Sequence, residues 1–163
     1  MSHTRRVLLL TSAAMSVATL MACATTPVPA TIADTALRTT QLSTFSKLMQ
    51  DAGLVETLRG AGPFTAFVPS DEAFKAVPAQ TMAELAANKE LLKAVLSYHV
   101  VPGKVTAAEV KTANVKTVQG ANLATAKAGT FVTVEDALVT QADIAATNGV
   151  VHIIDKVLMP PKR

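Results

Sequence analysis

Asn148-Gly149-Val150-Val151-His152-Ile153-Ile154-Asp155-Lys156-Val157-Leu158, almost at the carboxyl end of a 163-residue chain, decides the fold. Asn-Gly is the strongest short hairpin signal, because both residues accept positive φ, and a β-branched run follows it at once. Val150 to Ile154 therefore reads as a strand. Side chains alternate across a strand, so Val150, His152 and Ile154 share one face and Val151 and Ile153 take the other. Neither face is polar in the usual way, which suits a central strand covered on both sides. A terminal strand at the centre of a sheet must pair with a segment made earlier. The matching run is Phe64-Thr65-Ala66-Phe67-Val68, equally apolar and closed by Pro69. The domain is expected to close only when its last strand is in place.

Working outward, Leu42, Phe45, Leu48 and Met49 recur at helical spacing behind Thr40 or Ser43 as cap, and Gly53 supplies the stop. Leu54 to Leu58 reads as a short helical turn. Ser70 can cap a helix that carries Asp71 and Glu72 in its positive first turn and leads to Phe74. Thr81-Met82-Ala83-Glu84 and Thr106-Ala107-Ala108-Glu109 match capping boxes, and Asn88 caps a helix through Leu91, Leu92, Val95 and Leu96 towards Tyr98-His99. From Val115 the pattern turns to short runs separated by Gly120, Gly129 and Asp136: Val115 to Gln119, Asn122 to Ala126, Thr130 to Glu135 and Leu138 to Ile144. Period-two alternation in Thr130 to Val134 favours an antiparallel sheet with one wet face. Helices first and strands afterwards indicate an α+β domain, with helices of the amino-terminal half packed on a mostly antiparallel sheet formed largely by the carboxyl-terminal half.

The amino terminus reads differently. Residues 1–22 have the three-part form of a secretion signal: Arg5 and Arg6, an apolar run from Val7 to Leu20, and small residues at the end. Leu20-Met21-Ala22-Cys23 resembles a bacterial lipoprotein cleavage box, in which Cys23 is lipidated and anchors the protein to a membrane. The rival is ordinary cleavage at Ala22-Cys23-Ala24. Arg5-Arg6 also fits a twin-arginine export signal loosely. Residues 23–39, rich in Thr and Pro without an apolar period, read as a flexible tether. Residues 40–160 are left for the folded domain, with 161–163 as a tail.

Composition bounds the function. Hydrophobic residues make up 50% of the chain but aromatics only 4%, with no Trp, so the core is expected to be aliphatic. Few aromatics argue against base stacking, hence against a nucleic-acid partner. Loss of Arg5 and Arg6 with the leader takes the formal charge from +3 to +1, which points to no anionic partner. Cys23 is the single cysteine, so no intrachain disulfide can form. Ser70, Ser97, His99 and His152 are the candidates for nucleophilic catalysis, yet no Ser sits in Gly-x-Ser-x-Gly or Ser-x-x-Lys. Two mature histidines and one thiol are too few for a structural metal site, and no Gly-rich phosphate cradle occurs, so neither an enzyme nor a cofactor is expected. His152, between Val151 and Ile153, reads as a neutral, hydrogen-bonded core residue, so acid should weaken the fold by forcing its protonation.

Three blocks carry a family resemblance. Gly62-Pro63-Phe64-Thr65-Ala66-Phe67-Val68-Pro69-Ser70-Asp71-Glu72-Ala73-Phe74, then Tyr98-His99-Val100-Val101-Pro102-Gly103, then Asn148 to Leu158 resemble, in order and spacing, the blocks of the fasciclin-like domain family. The resemblance implies a small extracytoplasmic module for adhesion or protein contacts, without a general catalytic site. It implies structural roles for Thr65, Phe67, Pro69, Phe74, Asn148, Gly149, His152 and Asp155. Read locally, Tyr98 packs its ring beneath the helix end and His99 satisfies loop carbonyls; the resemblance instead makes Tyr98, His99, Asp143 and Ile144 candidate partner contacts, with Ala142 standing where animal members commonly carry proline before an Asp-Ile pair. The expected role is an envelope-anchored or secreted binder of a cell-surface or matrix protein or polysaccharide. The rivals are a periplasmic small-ligand binder or enzyme accessory, which a closed pocket with convergent polar groups would favour, and a hydrolase.

Overall fold

The computed structural model describes residues 30–161. Six short helices come first: α1 Ile32–Arg38, α2 Ser43–Asp51, α3 Val55–Arg59, α4 Asp71–Lys75, α5 Ala79–Ala87 and α6 Lys89–Tyr98. Strand β1 (Phe64–Pro69) interrupts them. The strands β2 Val100–Pro102, β3 Ala113–Lys116, β4 Asn122–Ala128, β5 Phe131–Val134, β6 Ala137–Ala146 and β7 Gly149–Ile154 follow. All seven form one sheet in the order β2-β1-β7-β6-β5-β4-β3.

β1 and β7 lie side by side, as their apolar patterns require, and the pair is parallel, from Phe64 opposite Gly149 to Pro69 opposite Ile154. Every other pairing is antiparallel. All six residues of β7 are buried. Val151 and Ile153 face the helices with Ala66 and Val68, in a core completed by Ile32, Phe45, Met49, Phe74 and Leu92. Ile154 faces the other way, with Phe67, Tyr98, Val101, Leu123 and Val134. Two glycines permit the close approach: a Cβ on Gly149 would fall within the Phe64 carbonyl, and one on Gly62 within the Asn148 carbonyl.

Several local readings are met and several are corrected. Ser70 accepts the Ala73 N–H at 3.3 Å, and Asn88 accepts those of Glu90 and Leu91, each at 3.1 Å, satisfying orphan donors of α4 and α6. Thr81 caps nothing, because α5 starts at Ala79 behind Pro78 and encloses it. Glu109 accepts the Thr106 N–H at 3.1 Å and the Thr106 hydroxyl at 2.8 Å, but its own N–H goes to the Thr106 carbonyl at 2.9 Å, so only half of the capping box forms; the chain completes one turn and no helix follows. The tether is the larger correction. α1 occupies 32–38 of it, opened by a capping box between Thr31 and Asp34, with Ile32, Ala33 and Ala36 buried. The folded unit therefore extends at least to Ala30, whose carbonyl accepts the Thr147 N–H at 2.9 Å. Residues 1–29, with the expected leader and Cys23, lie outside the described residues.

Candidate functional site

Asn148 earns its place through its side chain. Positive φ is confined, apart from glycines, to Glu135 and Asp143 among the described residues, so the backbone freedom expected of Asn148 is not what the turn uses. Its Oδ1 accepts the Ile32 N–H at 2.9 Å, and its Nδ2 donates to the carbonyls of Leu58 at 2.8 Å and Gly60 at 2.9 Å. One amide thus ties the start of α1 and the end of α3 to the β6–β7 turn. Thr65 does the same beyond β2: its hydroxyl donates to Gly103 O at 2.7 Å and accepts the Val105 N–H at 2.8 Å. Asp155 accepts the Leu138 N–H at 2.7 Å and fixes the start of β6.

The Tyr98-His99 pair, a candidate for partner contacts, lies inside the fold rather than on its surface. Tyr98 is 2% exposed and His99 1%. The Tyr98 hydroxyl lies 3.0 Å from Asn122 O and 3.1 Å from Glu135 Oε1, and burial, reinforced by the Glu135 charge, pushes its pKa up to about 12. His99 Nδ1 donates to Val95 O at 2.7 Å, while Nε2 accepts the Leu158 N–H at 3.0 Å. Burial holds its pKa down at about 4, against the pull of the Val95 carbonyl. Both side chains are consumed inside the fold.

His152 is equally committed. Its Nδ1 accepts the Asp143 N–H at 3.2 Å, so Nε2 carries the proton and donates to Val105 O at 2.9 Å. The ring stacks on Phe67 with centroids 5.3 Å apart. A backbone N–H can only donate and a carbonyl only accept, so each of the two imidazoles is held as one neutral tautomer with no nitrogen to spare. Ser70 spends its hydroxyl oxygen on a cap, and neither His99 nor His152 can serve it or Ser97 as a base. No group of three or more His, Cys, Asp or Glu among the described residues could hold a metal ion.

Asp143 and Ile144 do sit at the surface. β6 slips register between Gln141 and Ile144, and Asp143 occupies that bulge at φ +58°. Its carboxylate is exposed and accepts the Ala107 N–H at 2.8 Å. Ile144 is half-buried against the helical core. Sequence reading missed Phe131, 63% exposed at the β4–β5 turn, although an aromatic two residues after Gly129 was a usable signal. β5 runs antiparallel to β6, so that turn lies towards the same end of the sheet as the bulge.

These features define a class: a rigid α+β scaffold whose polar groups are spent on holding loops in place, leaving surface rather than a general base to present. The chain belongs to the fasciclin domain family, whose profile matches residues 40–160. Protein sll1483 of Synechocystis is 43% identical over 133 residues, which cover 80% of this chain and 74% of that one. The cell surface glycolipoprotein MPB83 of Mycobacterium bovis is 36% identical over 115 residues, 71% of this chain. The fold matches that of the domain pair from the insect cell adhesion molecule fasciclin I, with a TM-score of 0.63, 17% identity and 80% of this chain covered. The chain spans about half the length of these last two, 51% of each. α1 precedes the family match but is part of the same core.

Proposed function

We propose that the chain is an extracytoplasmic binding module, anchored to the cell envelope through Cys23, which engages a surface or matrix protein through the β4–β5 turn and the β6 bulge. The observation that carries this reading is Phe131, 63% exposed on a turn that nothing in its own fold requires it to cover. An exposed aromatic contributes a large apolar contact at little entropic cost, the usual anchor of a protein interface. Asp143 offers a charge towards the same end of the sheet. Adhesion and surface roles named for relatives support the class, and MPB83's designation as a glycolipoprotein supports a lipid at Cys23. Among the described residues no helix is long and apolar enough to cross a membrane.

The test is capture of envelope proteins by the intact protein and by a Phe131→Ser, Asp143→Asn variant. Selective loss of a captured protein by the variant is expected. Identical capture by both would refute the surface, and capture of polysaccharide alone would refute the partner class. Mass spectrometry of the mature amino terminus should find diacylglycerol on Cys23; an unmodified thiol within a longer chain would end the anchoring claim.

A further inference from the structure

The two edge strands of the sheet, β2 and β3, are consecutive in the chain and approach each other. Val118 N–H donates to Val100 O across the gap at 2.8 Å. The sheet is thereby curled almost into a barrel, and residues 103–112 run as a strap from one edge to the other. Beneath the strap lies a pocket of about 170 Å³, partly open to solvent, lined mainly by Phe67, Val101, Val105, Val110 and Val115, with Thr125, Glu109 and Lys111 as its polar members. The Thr125 hydroxyl is committed to Lys111 O at 2.9 Å and Ala113 O at 3.0 Å. The lining is therefore mainly apolar. Apolar space of about 150 Å³ can take up a benzene ring, and barrel mouths are common ligand sites.

The strap is held unevenly. Its first residues are clamped by the buried Thr65 and His152. Its middle is held from outside, by exposed Asp143 on the Ala107 N–H and by half-buried Lys127 donating to Ala108 O at 3.0 Å. Two solvent-facing bonds are all that side chains of other elements supply between Thr106 and Val110.

We propose that this cavity is a binding site for a compact apolar molecule, a single aromatic ring or branched alkyl group of about six to eight non-hydrogen atoms, and that the Ala107–Val110 part of the strap is its gate. The site shares only Asp143 with the surface contact proposed above. Opening at Ala107 leaves the clamps at Thr65 and His152 intact, so entry needs no unfolding of the sheet.

Benzene titrated into the whole protein, followed by valine methyl shifts, tests it. Val101, Val110 and Val115 should shift saturably. Val115→Phe, or Val105→Phe from the strap side should the first not fold, occupies the space and should weaken benzene binding at least tenfold. An Asp143→Gly, Lys127→Gln double variant should raise the benzene exchange rate at least fivefold with an affinity within twofold of wild type. Absence of a saturable shift in the wild type, or equal binding by a folded, filled variant, overturns the site; an unchanged exchange rate overturns the gate.

Discussion

Asn148→Ala removes three hydrogen bonds at a junction where no other side chain of the turn replaces them. The Ile32 N–H, at the first turn of α1, loses its acceptor, and the carbonyls of Leu58 and Gly60 lose their common donor. An intramolecular hydrogen bond contributes about 1 kcal/mol net, and a buried partner left unpaired costs about 1–3 kcal/mol. The junction is half-buried, so water can relieve part of the loss. A destabilisation of about 3 kcal/mol follows for the three together. For a folded unit of this size that corresponds to a fall in Tm of roughly 10 °C. Urea unfolding followed by circular dichroism measures it, with the slope m unchanged if the native state keeps its compactness. Asn148→Asp should be no better than Ala, since its carboxylate keeps the acceptor for Ile32 but faces two carbonyls. A loss below about 0.5 kcal/mol for Asn148→Ala would refute the idea that this amide is the junction.

His99 supplies a pH dependence. Its pKa is about 4 in the fold, below the ordinary 6.5, so the unfolded chain binds more protons between those values. Its contribution is fully present above about pH 6.5 and is lost as pH falls through about 4, a change of about 3 kcal/mol. His99→Gln should flatten that slope; an identical slope in wild type and variant would show another group to be responsible. Gly149→Ala places a methyl group in the Phe64 carbonyl and should abolish the β1–β7 register, leaving little folded protein in a soluble-expression and circular dichroism assay. Thr65→Val keeps shape but loses both clamps on the 103–105 segment. A cost of about 1–3 kcal/mol is expected, with faster amide exchange at Val105 before the sheet loosens; protection there equal to wild type would contradict the clamp.

The seam of the fold was legible because two apolar, β-branched runs, Phe64 to Val68 and Val150 to Ile154, fit nothing but paired buried strands. Their direction was not legible, since parallel and antiparallel partners share the same side-chain period. α1 escaped because Pro27, Pro29 and neighbouring threonines masked Thr31-x-x-Asp34, a capping-box pattern as good as the one at Thr81, which proved idle. The difference lies in burial: α1 covers Ile32 beneath Asn148, a contact 116 residues away in sequence that no local pattern could report. Tyr98 and His99 became candidate partner contacts through the family resemblance, while the local reading of the helix end packed them inward. Their fate was set by Leu158, Glu135 and Asn122, which arrive from later strands and the carboxyl-terminal segment. Phe131 stands as an exposed aromatic that only the tertiary structure distinguishes from core.

Both imidazoles are locked by backbone partners, which leaves neither ring nitrogen free for proton transfer. Two-bond nitrogen–proton correlation spectra of the imidazole rings at neutral pH read this directly. The account predicts a single Nδ1–H tautomer for His99 and a single Nε2–H tautomer for His152. A rapidly exchanging mixture of tautomers at either ring would return a free nitrogen to the molecule and contradict it.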